Sequence, residues 1–184
     1  MYENGAANTS LEDVRKAAKA SGSQMSHYFT DKRSLIRAVI AHQADAVMAA
    51  HHDPAVGNLD SVAALRIWAQ RIVEQQRAQD FVGGCRLGSL AVELTESDAE
   101  LRADLAAGFE RWEALLRRGL LAMRERGDLE PDADPAALSY SLLAAVQGGY
   151  LLTQTHRDVS ALEAALGAAI DHIESLAPAD GEVG

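Results

Sequence analysis

A chain of 184 residues, 48% of them apolar and with one cysteine, suits a single domain or a small domain fused to a larger one, and rules out an intrachain disulfide. Its net charge of −10 argues against a protein that coats nucleic acid with its whole surface. No apolar run approaches the ~20 residues of a membrane span and the N-terminus lacks a basic-then-apolar signal pattern, so no membrane contact and a cytoplasmic location are expected.

Ala and Leu dominate, β-branched clusters are rare, and the four prolines sit near helix ends or the C-terminus, which predicts an all-α protein. The charge is unevenly spread. Residues 1–52 carry six Lys/Arg and five Asp/Glu, and the remainder eleven and twenty-two. Phosphate attraction is local and screened, so a near-neutral head on an acidic body is compatible with DNA.

In chain order, Thr9-Ser-Leu-Glu12 has the form of a capping box. It predicts a helix over 10–18 with Leu11, Val14, Ala17 and Ala18 inward. Ser21-Gly-Ser-Gln24 is a second capping box, opening a short helix that ends near Phe29, with Met25 and Phe29 packing back onto Val14 and Ala18. Thr30 is the expected cap of a third helix, which fades at His51-His-Asp-Pro54. A further helix carries Leu65, Trp68, Ile72 and Val73 on one face and breaks at Gly83-Gly84. A short helix covers 87–95. Ser97-Asp-Ala-Glu100 is the expected box opening the longest helix, which Gly127-Asp128 ends. Asp134-Pro135 reads as N-cap and first-turn proline of a helix to about Thr155. Ser160-Ala-Leu-Glu163 is the expected cap of the last helix, and the tail from Pro178 is polar.

The second short helix carries small polar and aromatic side chains where a buried helix would carry leucines. Such a helix suits the major groove. Gln24 can pair with adenine. Ser23, Ser26 and His27 can reach bases or phosphates, Tyr28 can donate to a phosphate, and Ser21 caps the element. Lys32 lies at the start of the next helix, and Thr9 and Ser10 at the start of the preceding one, where backbone N–H groups favour anions. Taken singly, each is equally a solvated residue or a cap.

Ala18-Lys-Ala-Ser21, followed by Met25-Ser-His-Tyr-Phe-Thr-Asp-Lys32-Arg-Ser-Leu35, resembles the signature of TetR-type transcriptional regulators. The all-α remainder, with two long final helices, resembles that family's sensing and dimerisation domain, and Gly84-Cys-Arg-Leu-Gly-Ser-Leu90 is similar to a stretch seen in many such domains. The resemblance implies a helix-turn-helix DNA-binding head over 1–45, an effector-binding and dimerisation body over 46–177 and a flexible tail over 178–184. It also implies a repressor that holds double-stranded operator DNA as a homodimer and is released by a small-molecule effector. Three departures stand out. Heads of this family begin with an additional helix, and only eight residues precede Thr9, so that helix reads as missing or truncated. Lys19 stands where the family has a turn glycine, and Ser26 where it has a tyrosine.

In the body, Trp68, Trp112, Leu116, Met123, Tyr140, Gln147 and Tyr150 are the expected lining of a pocket for a mostly apolar ligand with one or two polar anchors, or else plain core filling. The last two helices should be antiparallel neighbours. Ala144, Ala145, Gly148, Gly149, Ala165 and Ala169 would let them pair with the same hairpin of a second chain.

Little points to an enzyme. Cys85 reads as a packed residue, and His42, His51, His52 and Asp53 match no strong metal spacing. Glu93, Glu96, Asp98 and Glu100 read as a solvated face. No P-loop or dinucleotide fingerprint occurs, and no cofactor is expected. The alternative to a repressor is a ligand-binding or dimerisation module with an incomplete head that does not bind DNA alone.

Overall fold

The computed structural model describes residues 5–51 and 57–178. Among these, eight helices and no strand occur: α1 (Leu11–Ala17), α2 (Gly22–Tyr28), α3 (Lys32–Ala50), α4 (Val62–Ala78), α5 (Arg86–Leu94), α6 (Ala99–Arg126), α7 (Pro135–His156) and α8 (Ser160–Ser175). They form two compact units, one of Met1–Val47 with Arg86–Glu110, the other of Met48–Cys85 with Arg111–Gly184. The stretch 86–110 therefore groups with the head's residues, although sequence placed it in the body.

The helix ends follow local chemistry, with shifts from the expected caps. Ser21 and Gln24 form the box expected of them at the start of α2. Elsewhere a neighbouring residue takes the role. Ser10, not Thr9, caps α1 in a box with Asp13. Asp31, not Thr30, accepts the Ser34 N–H at 2.7 Å. Asp98, not Ser97, accepts the Glu100 and Leu101 N–H groups at 2.9 and 3.1 Å. The Ser160 N–H goes to Asp158 at 2.8 Å, and α8 has no side-chain cap of its own. An aspartate beats a nearby hydroxyl because a full negative charge also meets the positive end of the helix dipole. α4 stops at Ala78, short of Gly83, because Asp80 and Phe81 already turn left-handed (φ 49° and 60°). Asp134 caps α7 as expected.

In the first unit, α3 buries Leu35, Ile36, Ile40 and Ala44, and α5 and α6 bury Leu87, Leu90, Leu94, Leu101 and Leu105. Gly108 allows the close approach: a Cβ there would lie 3.3 Å from Ala44 Cβ and 3.2 Å from Leu87. α1 and α2 bury no residue. Leu11, Val14, Met25 and Phe29 are half-buried, whereas Ala17 and Ala18, expected inward, are exposed.

In the second unit, α4, the end of α6, α7 and α8 share a core that includes Leu65, Leu116, Leu120, Leu142, Leu162 and Ile170. Gly149 sits against Leu162, where a Cβ would come within 2.9 Å of the Leu162 Cα, so it lets α7 and α8 touch. Arg66 pairs with Asp171 and Glu174, and Arg77 with Glu163, so α4 and α8 run antiparallel.

Candidate nucleic-acid interface

α1 and α2 meet at a tight turn that requires a left-handed residue. Lys19 supplies it (φ 52°), a conformation that costs a side-chain-bearing residue about 1 kcal/mol relative to glycine. Arg15 braces the turn: its guanidinium donates to the Ala20 carbonyl at 3.1 Å and holds Glu12 through two hydrogen bonds. That pairing keeps the Glu12 carboxyl below its ordinary range.

Beyond the turn, Ser21, Ser23, Gln24, Ser26, His27 and Tyr28 are all exposed, and Tyr28 retains 74% of its surface. Six neighbouring positions thus present hydroxyl, amide, imidazole and phenol groups on one short element. Local bonds restrict what some of them can do. Gln24 Oε1 accepts the Ser21 N–H at 2.8 Å, so its amide oxygen is committed to the cap and its NH2 is what points outward. Two-point pairing with adenine would require opening the box. Ser26 Oγ–H turns back to the Gly22 carbonyl at 2.9 Å, and Ser23 shares a hydrogen bond with Ser21 at 3.0 Å. His27 and Tyr28 stack edge-on at 5.0 Å.

The other three expected residues divide. Ser10 is exposed at the start of α1. Thr9 is buried, its hydroxyl donating to the Gly5 carbonyl at 2.7 Å. Lys32 is engaged within the chain, its Nζ donating to the Ala7 carbonyl at 2.8 Å. Of the head's six cations, Arg33 and Arg37 are held by carboxylates of the same unit: Arg33 by Asp98 and Glu100, Arg37 by Asp104 at 2.7 Å. Lys19 has no partner among the described residues, and Lys16 stands 3.9 Å from Glu12 with most of its side chain in solvent. Sequence reading missed the acidic partners. Complementary charge was visible, but no spacing rule links residues more than sixty positions apart.

The second unit treats the seven expected ligand-contacting residues unevenly. Trp68, Trp112, Leu116 and Met123 are fully buried, Tyr140 is 59% exposed, and Gln147 and Tyr150 lie between. Burial pushes the Tyr150 phenol up, with Cys85 adding to the shift. The indoles of Trp68 and Trp112 both donate to His51 Nε2, at 2.9 and 3.2 Å, so that nitrogen carries no proton. This long-range pairing joins α4 and α6 to the residue after α3. His51 also borders a cleft of about 340 Å³ with Asn58, Asp60, Leu115, Arg118 and Ala122, in the size range of small-molecule sites. None of the seven lines it. Buried atoms without a partner among the described residues are Gln76 Oε1, Gln147 Nε2 and Thr153 Oγ1. No group of metal-binding side chains occurs among the described residues, and His52 and Asp53 lie outside them.

A capped helix pair joined by a left-handed turn, its second helix polar and exposed, is the helix-turn-helix of a DNA-binding regulator. Comparison with known proteins makes this particular. Residues 1–39 match the family described as bacterial regulatory proteins, tetR family, and residues 61–169 match the tetracyclin repressor-like C-terminal domain. The chain belongs to the TetR family of transcriptional regulators.

Its relatives include the transcriptional regulator AcuR of Cereibacter sphaeroides, 29% identical over 156 residues (82% of this chain, 69% of AcuR). The transcriptional repressor ComR of Escherichia coli is 26% identical over 149 residues, covering 80% of this chain and 71% of ComR. A crystal structure of a TetR regulatory protein from Rhodobacter sphaeroides shares the fold, with a TM-score of 0.79 at 24% identity, covering 93% of this chain and 91% of that one. No helix among the described residues is long and apolar enough to cross a membrane.

Proposed function

We propose that this regulator is a repressor that binds double-stranded operator DNA as a homodimer and is released by a small-molecule effector. The observation that carries the reading is the exposed set from Ser21 to Tyr28, polar throughout its outer face and lacking any buried side chain. Ser10, Ser21, Ser23, Gln24, Ser26, His27 and Tyr28 contact the duplex, and Lys16, Lys19 and Lys32 supply the positive charge. Thr9 acts from behind by fixing the turn before α1.

The dimer forms through α7 and α8. Tyr140, Leu151 and Leu152 are large apolar groups left exposed on α7, and Cβ atoms at Gly148 and Gly167 would meet open space. Packing this face on its own copy would bury those groups and space two heads for sites ~34 Å apart on one face of DNA. The effector is a small, mostly apolar molecule held in the second unit, with polar anchors such as Asn58 and Arg118 of the cleft beside His51. α3 connects by chain continuity to that cleft, since His51 follows its last turn. An effector that favours one tilt of α3 would change the spacing of the heads, by no more than its differential affinity for the two tilts.

A mobility-shift assay with DNA from upstream of the chain's own gene tests the first step. Retarded duplex with a twofold-symmetric footprint is expected; no retardation at micromolar protein rejects the reading and returns the non-DNA-binding alternative. Light scattering should give a dimer. For any effector found, ligand and operator should weaken each other by the same factor.

A further inference from the structure

Glu93, near the end of α5, belongs to the acidic run that sequence reads as solvated. Its carboxylate is occupied. Oε2 accepts the Ala6 N–H at 2.8 Å and Oε1 the Ala7 N–H at 2.6 Å. Two successive amides converging on one anion form a backbone nest. The turn is built around it. Gly5 is left-handed (φ 77°), and a Cβ there would stand 3.2 Å from Glu93 Oε1. Ala6 is fully buried, and Thr9 closes the turn from the other side through the Gly5 carbonyl. The Ala7 residue is gripped twice, its N–H by Glu93 and its carbonyl by Lys32 at 2.8 Å. Three residues later Ser10 opens α1.

We propose that Glu93 is a positioning residue for DNA recognition: its carboxylate fills the nest and fixes the turn that decides where Ser10 and Lys32 are presented. The proposal rests on the DNA-binding function given above. Hydrogen bonds to a full charge are roughly twice as strong as neutral ones and directional, so α5 holds the entry to α1 directly, without acting through α3. The sign of its effect is diagnostic. Counting charge alone, removing a carboxylate from an acidic protein should tighten its grip on a polyanion. Emptying the nest should loosen it.

The test uses the full chain and a duplex that the wild-type chain selects from a random-sequence pool. Glu93→Gln, Glu93→Ala and Gly5→Ala should each bind that duplex roughly tenfold more weakly while remaining fully folded at the assay temperature. Glu96→Gln, which neutralises an exposed carboxylate three residues away, should bind equally or more tightly. Formate should restore part of the loss in Glu93→Ala where chloride at equal ionic strength does not. Without DNA, the amide protons of Ala6 and Ala7 should exchange faster in Glu93→Gln. Binding by Glu93→Gln as tight as wild type, or unchanged exchange at both amides, overturns the role of Glu93 while leaving the DNA-binding function intact. A wild-type chain that selects no duplex instead overturns that function itself.

Discussion

The reading helices and the α7–α8 hairpin are held by opposite means. α1 and α2 bury no side chain fully, leaving Leu11, Val14 and Met25 half-buried, and are fixed at their ends by capping boxes, the Arg15 brace and the Glu93 nest. α7 buries eight residues and α8 four, with Gly149 letting them touch. Apolar packing is dense and non-directional, and it resists displacement. Polar tethers hold a geometry but exchange readily with water, salt or a phosphate. The body is thus suited to set stability and the head to be repositioned.

Substitutions can break this contrast or sharpen it. Leu116→Ala, at a fully buried position, should cost about 2–5 kcal/mol in urea unfolding. A loss as small as that of a head substitution would erase the distinction. His51→Leu leaves two indole N–H groups buried without an acceptor and should cost about 2–4 kcal/mol. Recovery on adding Trp68→Phe would assign the cost to those bonds. Gly149→Ala should cost about 1–3 kcal/mol through its clash with Leu162, with dimer light scattering as a second readout.

Smaller effects belong to the tethers. Asp98 is held below its ordinary 3.8 by the Leu101 N–H and then by Arg33, and Asp13 by Ser10. A carboxyl lowered on folding stabilises fully above its unfolded value and loses that contribution as pH falls through the folded one. Circular dichroism should therefore be flat from pH 7 to about 5 and lose helix below about 4. A loss near neutrality would point to histidine instead. Lys19→Gly should raise stability by about 1 kcal/mol by relieving the left-handed turn. No gain would mean that the lysine stem repays the strain.

The helices themselves were legible because their signals are local. Leu101, Leu105, Trp112, Leu116 and Met123 recur at helical spacing and are all buried in α6. The Ser21–Gln24 box and the Asp134-Pro135 start needed no tertiary information. Caps were misplaced by one or two residues where two capping side chains stood close together, Thr9 beside Ser10 at α1 and a hydroxyl near an aspartate at α3, α6 and α8. The reading element was legible for the converse reason: with Met25 alone turned inward, the polar positions of so short a helix are left to solvent. Of the expected ligand-contacting residues, periodicity gave the burial of Trp68, Trp112, Leu116 and Met123 but not what they meet.

Composition, periodicity and the turn motif by themselves determined an all-helical chain with a helix-turn-helix at its start, because each depends on residues within a few positions of one another. Only the tertiary structure decided that Glu93 closes on Ala6 and Ala7, that Arg37 meets Asp104, and that two tryptophans share His51. Such pairings span tens of residues, and a helical pattern fixes which face turns inward without naming the partner it finds there.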